Sequence, residues 1–217
     1  MNIRIAHAPG DSAARLGFPG FLATGFLAAG SLHELRAPPD SAAHLAFAVR
    51  LLAGLPPALP ILFIGPAAGW YPPGLAWLGL DPARCLFAEA ADDAQGYGAL
   101  EVALRGGMAG LAEGVGLTRL AARRLALAAK DGGGIGLLLR HAPRQTSLDS
   151  TAVASRWFLS PAPGGMLRAE RLYAKAGPPA VFVFAMEDEN DAAPPAVPVV
   201  ASESTAGQRS AGQRRAG

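Results

Sequence analysis

Between Ser31 and Arg140 the chain alternates short apolar runs with amphipathic segments, and this alternation narrows the possible folds more than any other feature. The runs "SLHELR" (31–36), "PILFIG" (60–65), "RCLFAE" (84–89), "MAGLAEG" (108–114) and "GIGLLLR" (134–140) have the length and apolar continuity of strands buried on both faces. Between them, "AAHLAFAVRLLAG" (42–54), "DDAQGYGALEVALRGG" (92–107) and "LTRLAARRLALAAKDGGG" (117–134) predict helices, with Asp92 and Thr118 placed as N-caps and glycines as terminators. "YPPGLAWLGLDPA" predicts a turn and a short helix with proline near its start. Such a pattern specifies an α/β domain with a mainly parallel sheet flanked by helices. After Arg140 three extended segments, joined by Pro/Gly turns within "TAVASRWFLSPAPGGMLRAERLYAKAGPPAVFVFA", predict an antiparallel C-terminal extension of the same sheet. The resulting division is an N-terminal arm over 1–30, a domain over 31–186 and a tail over 187–217. Rich in Pro, Ala, Ser and acids, and with its AGQR doubled, the tail is expected to be disordered.

At 217 residues, half of them apolar, the chain supports one well-packed domain. Seventeen of its nineteen basic residues are arginine; the two lysines, Lys130 and Lys175, come late. The 17 acids and 19 bases of the whole chain become 12 and 16 before Glu187, a net charge of +4 that permits an anionic partner without requiring one. The single cysteine, Cys85, excludes an intrachain disulfide and reads as core filler in a strand. The segment "LGFPGFLATGFLAAG" (16–30) follows two arginines, as a signal peptide would. It is interrupted by three glycines and a proline before Gly30, is preceded by Asp11, and falls short of the roughly 20 apolar residues of a membrane span. A packed arm leading into the first strand is the preferred reading.

The stretch "ELRAPPDSAAHLAF" (34–47) runs from strand through a Pro-Pro-Asp-Ser turn into a helix, the context in which P-loops hold phosphate. Gly132, Gly133, Gly134 and Gly136 end a helix and enter a strand, the reverse of a dinucleotide loop, and so read as a C-cap and turn. His7, His33, His44 and His141 have no metal-ligand spacing with one another or with Cys85, so no metal site is expected. Glu113 ends an apolar strand, the edge at which α/β sheets bind ligands, although a carboxylate there also serves as a helix cap. On helix 117–131, Arg119, Arg123 and Lys130 share a face, while Arg124 is expected to lay its stem along an apolar arc with Leu117 and Ala121. The polar loop "RHAPRQTSLDS" (140–150) carries Arg140 and Arg144 and is a candidate functional element.

The order of these pieces resembles the RecA core. "ELRAPPDSAAHLAF" is similar to its strand, P-loop and helix. "FIGPAAGWYPPGLAWLGLD" (63–81) is similar to the segment carrying its catalytic glutamate, and "MAGLAEG" to its Walker B strand. "TAVASRWFLSPAP" and "LRAERLYAKAGPPAVFVF" resemble its two late strands. Through "GSLHEL", "GLAWLGLDPARCLFAEAADDAQGYGALEVALRGG" and "LTRLAARRLALAAKDGGGIGLLLR", the chain more closely resembles the ImuA family, RecA-like accessory proteins of bacterial damage-induced mutagenesis, over about residues 25–186.

In that register the P-loop glycines become Ala37 and Ala42, its lysine Ala43 and its Ser/Thr His44; the catalytic glutamate becomes Ala67, and only the Walker B acid has a counterpart, Glu113. Backbone approach to phosphate, charge neutralisation and magnesium ligation are all lost with those residues. The resemblance therefore implies no enzyme and no nucleotide cofactor, but a cytoplasmic adaptor in SOS-induced translesion synthesis. Its implied partners are a polymerase-like ImuB protein, a DnaE2-type polymerase and RecA itself. Candidate partner contacts are Phe18, Phe21, Phe26, Arg119 and Arg123. Two alternatives stand beside it: a single-stranded DNA-binding module acting through Arg140, Arg144 and Arg156, and a SulA-like inhibitor of cell division. The DNA reading lacks aromatic stacking platforms in its loop.

Overall fold

The structure is a computed structural model that describes residues 30–65, 70–116, 118–144, 152–175 and 180–185, with the backbone of two short strands, β1 (Arg15–Leu16) and β2 (Leu27–Ala28). Phe18, Phe21, Phe26, Ala67, Leu117 and the tail lie outside the described residues.

The five apolar runs form β3 (Ser31–Ala37), β4 (Ile61–Ile64), β5 (Cys85–Ala88), β6 (Ala109–Glu113) and β7 (Ile135–His141), all parallel where they pair. They are joined by α1 (Ala43–Ala53), α2 (Pro72–Trp77), α3 (Asp93–Arg105) and α4 (Arg119–Gly132). β8 (Ser155–Ala162), β9 (Met166–Ala174) and β10 (Ala180–Ala185) complete an eight-stranded sheet of order β10-β9-β8-β3-β7-β6-β4-β5. The α/β architecture and the antiparallel C-terminal strands are as the sequence predicts. One detail differs: β8 lies parallel to β3, so antiparallel pairing begins only at the β8–β9 hairpin.

Local signals set the helix ends. The Asp92 carboxylate accepts the Gln95 amide at 2.8 Å, and Thr118 Oγ1 accepts the Ala121 amide at 3.1 Å, each satisfying one of the donors a helix start leaves open. Gly133 closes α4 in the left-handed region, at φ 73°. One residue earlier, Gly132 passes so close to the end of α3 that a Cβ there would overlap the Leu104 carbonyl oxygen. The glycine cluster is thus a cap and a helix–helix contact.

Helices cover both faces. On one, Phe47, Leu51 and Leu52 of α1 pack on Leu35, Leu137, Leu139, Trp157 and Leu159. On the other, Leu100 and Leu104 of α3 and Leu125, Ala128 and Ala129 of α4 pack on Leu32, Ile64, Ala112 and Leu138. The buried arc of α4 is therefore Ala122, Leu125, Ala128 and Ala129; of the expected arc, Ala121 is half-buried and Arg124 lies outside it. Arg124 is exposed and reaches across to Glu101 on α3 at 2.7 Å. Cys85 is only half-buried, because β5 is the edge strand and leaves Leu86 and Phe87 exposed.

Within β3, Glu34 is 1% exposed and sits among guanidinium groups. Arg36 Nε donates to Oε1 at 2.8 Å, Arg156 Nε donates to Oε2 at 2.6 Å, and Arg140 Nη1 lies 3.5 Å from Oε1. Burial raises the Glu34 pKa, but the hydrogen bonds and charges of Arg156 and Arg36 together outweigh it and leave a net depression.

Replacing Glu34 by Gln strands the buried arginine charge, and a loss of about 3–5 kcal/mol in urea unfolding at neutral pH is expected. Because the folded-state pKa is depressed, the wild-type advantage over the variant is fully present above the ordinary carboxylate pKa. It disappears only as pH falls through the lowered value, which unfolding midpoints measured against pH will read.

Candidate functional site

β7 sits between β3 and β6, so the C-terminal ends of three neighbouring strands lie side by side. α1, following β3, and α4, following β6, pack on opposite faces of the sheet. Loops that depart to opposite faces leave a crevice at the strand ends, the usual ligand position of an open α/β sheet. Ala37 ends β3 opposite His141, and Glu113 at the end of β6 is opposite Leu139.

The turn from β3 into α1 is short and internally satisfied. The Ser41 amide donates to the Pro38 carbonyl at 3.1 Å, and Ser41 Oγ accepts the Ala43 amide at 3.2 Å. Ala42 takes the N-cap position with no side-chain hydrogen bond. Ala37 and Ala43 are buried, whereas Ala42 is exposed. His44, in the first turn of α1, is 1% exposed. The turn is thus methyl-lined, with an imidazole behind it.

That imidazole points into the crevice. His44 Nε2 lies 3.8 Å from Glu113 Oε1, and His141 Nε2 lies 3.7 Å from the same oxygen. The two rings meet edge to face with centroids 4.5 Å apart. Among the described residues neither ring nitrogen of His44 has a hydrogen-bond partner, although an unmet buried polar group costs about 1–3 kcal/mol. Burial, aided by the nearby His141, holds the His44 pKa down at about 4, so the ring is neutral at physiological pH. Burial likewise raises the Glu113 pKa, partly offset by His141. His141 Nδ1 is 3.0 Å from the Pro38 carbonyl, and since that oxygen can only accept, Nδ1 carries the proton; in the neutral ring Nε2 then presents its lone pair.

Sequence reasoning singled out Glu113 and the position of His44 but found no link to His141. The histidines are 97 residues apart, and only the insertion of β7 between β3 and β6 brings them together. No metal-ligand spacing joins these residues along the sequence, yet in the structure His44, Glu113 and His141 each offer a ligand atom, all within 4.8 Å of one another.

The other candidates are dispersed. Arg156 is 2% exposed and engaged with Glu34, so its guanidinium does not face a surface. Arg140 is partly exposed beside the same carboxylate. Arg144 is exposed and grips Glu170 with two hydrogen bonds, that from Nε at 2.8 Å. Residues 145–150 of this loop lie outside the described residues. Arg119 and Arg123 are exposed on α4, next to exposed Leu120 and Leu127.

The arginines separate experimentally. Arg156→Ala is expected to cost about 3–5 kcal/mol of stability by leaving Glu34 under-compensated, read by urea unfolding. Arg144→Ala is expected to change stability by no more than about 1 kcal/mol, because its pair is exposed. If this loop contacts single-stranded DNA, the same change lowers the salt slope of binding by about one, read by fluorescence anisotropy.

No family model matches the chain. It is similar to the protein named ImuA from two strains of Caulobacter vibrioides, with 32% identity over 163 residues in each case. The match covers 68% of this chain and 65% of each relative, so the chain spans just under two thirds of the length of the curated relatives it matches.

Proposed function

We propose that the chain is a member of the ImuA family. It works as a non-catalytic RecA-like adaptor in SOS-induced translesion synthesis and damage-induced mutagenesis, binding a polymerase-like ImuB protein, with a DnaE2-type polymerase and RecA as further partners. The observation that carries this reading is the turn from β3 to α1. It keeps the strand–turn–helix position of a phosphate loop, yet has alanines at 37, 42 and 43 and a buried imidazole at 44. The lysine, the hydroxyl and the glycine-lined backbone that would hold a nucleotide phosphate and its magnesium have no equivalents there. Similarity to ImuA over most of the chain supports the assignment of system.

Exposed apolar side chains towards the opposite end of the sheet from β10 support a partner surface there. Tyr71 and Trp77 of the α2 region and Leu86 and Phe87 of edge strand β5 are all exposed, Trp77 to 86%. Unburied aromatic side chains near an unpaired strand edge are typical of contact surfaces.

The reading is tested by mixing the purified full chain with purified ImuB-like protein. A 1:1 complex at micromolar concentration is expected by size-exclusion chromatography with light scattering. ATP with magnesium should neither promote nor dissolve it, and should leave the thermal midpoint of the free chain unchanged. Absence of a complex, or dependence of the complex on ATP, would overturn the reading.

A further inference from the structure

We propose that His44, Glu113 and His141 form a binding site for one divalent transition-metal ion of the zinc class, at the C-terminal edge of β3, β7 and β6. The site is independent of the adaptor reading, since it rests on side chains that no partner need touch.

The distances fit an ion better than they fit direct contact. At 3.7 and 3.8 Å, the two imidazole–carboxylate separations are too long for hydrogen bonds. Tetrahedral zinc, with bonds of about 2.0–2.2 Å, sets its ligand atoms roughly 3.4 Å apart. The two imidazole–carboxylate separations therefore need to contract by only a few tenths of an ångström, and the ligand atoms of the two histidines lie within 4.8 Å of each other. His44 supplies the independent sign that something belongs there, because it is buried to 1% exposure and both ring nitrogens lack a hydrogen-bond partner among the described residues. A metal bond would satisfy Nε2.

His141 is also held as a ligand would be. Its Nδ1–H donates to the Pro38 carbonyl, which fixes the tautomer and turns the Nε2 lone pair towards Glu113. Metal-bound histidines almost always make such an outer hydrogen bond. Two imidazole nitrogens and one carboxylate oxygen disfavour magnesium and calcium, which take oxygen ligands, and suit zinc and its neighbours. With the His141 side chain 41% exposed, a fourth position is open to water or to an incoming ligand.

The experiment uses the full chain, stripped with a chelator and dialysed, titrated with Zn2+ alone by calorimetry. Co2+ serves as a spectroscopic reporter and Mg2+ as a control. One equivalent of Zn2+ is expected to bind at micromolar concentration or tighter, with a rise in thermal midpoint and a visible Co2+ band that marks nitrogen ligation. Mg2+ should bind far more weakly.

His141→Ala is on the exposed side and is checked for native circular dichroism. Together with Glu113→Gln it should lower Zn2+ affinity about 100-fold or more, the upper end of what outer-shell changes alone cause. Cys85→Ser, on edge strand β5, should leave the affinity unchanged, as that residue is not in the triad. Retained Zn2+ affinity in folded His141→Ala, loss of affinity in Cys85→Ser, or equal binding of Mg2+ would each overturn the proposal.

Discussion

The structure turns on one buried carboxylate. Glu34 lies in β3, which runs parallel to both of its neighbours, β7 and β8, and it bonds to arginines on both sides. Arg140 comes from β7 and Arg156 from β8, so a single side chain holds three adjacent strands in register. Desolvating these charges is costly, and their mutual attraction offsets that cost only when the geometry is good. A hydrophobic cluster of equal volume would fill the space without choosing between registers one pair apart. The ionic cluster rejects a slip in either neighbour, because a slip leaves charge buried without a counter-charge. Arginine suits this better than lysine, since its planar fork reaches a carboxylate with less loss of side-chain freedom.

The crevice at the strand ends follows from the same order of strands. Placing β7 between β3 and β6 brings the start of α1 and the ends of two strands to one spot, whatever residues occupy them. In a phosphate-binding loop that spot is lined by backbone amides. Here the Ser41 hydroxyl already occupies the Ala43 amide, and imidazole and carboxylate face the opening. The lining of this crevice offers electron-pair donors rather than the amide donors that bind an anion.

Much of this was legible in the residues. Every strand and helix between Ser31 and His141 is announced by apolar continuity or by a cap such as Asp92, Thr118 or Gly133, because those signals act over a few residues. What failed was whatever depended on the third dimension. Arg124 was placed on the apolar arc because the arc was drawn through Leu117 and Ala121. The packing of α4 on α3 instead selects Ala122, Leu125 and Ala129, small enough for the helices to approach closely at Gly132. Arg156 reads as a solvent-facing charge beside Trp157, and only the pairing of β8 with β3 shows that it meets Glu34. The "RCLFAE" run looks buried by composition, but edge position leaves Leu86 and Phe87 in solvent. His44 and His141 have no sequence relation at all. Strand order is the quantity that joins them, and spacing along the chain does not encode it.

The position of β3 also bears on the order in which the chain can fold as it is made. Both neighbours of β3, β7 and β8, follow it by about a hundred residues or more, so its backbone groups and Glu34 emerge from the ribosome long before anything can pair with them. β4, β5 and β6 can assemble earlier as a local three-stranded unit, since each finds a partner among the others. Completion then requires β7 to enter a gap one strand wide, roughly 10 Å between β3 and β6. Loop closure over such separations is slow and leaves unpaired edges exposed meanwhile. A nascent chain that stops before Ile135 therefore presents a half-sheet and a charged, partnerless strand, a natural substrate for chaperones.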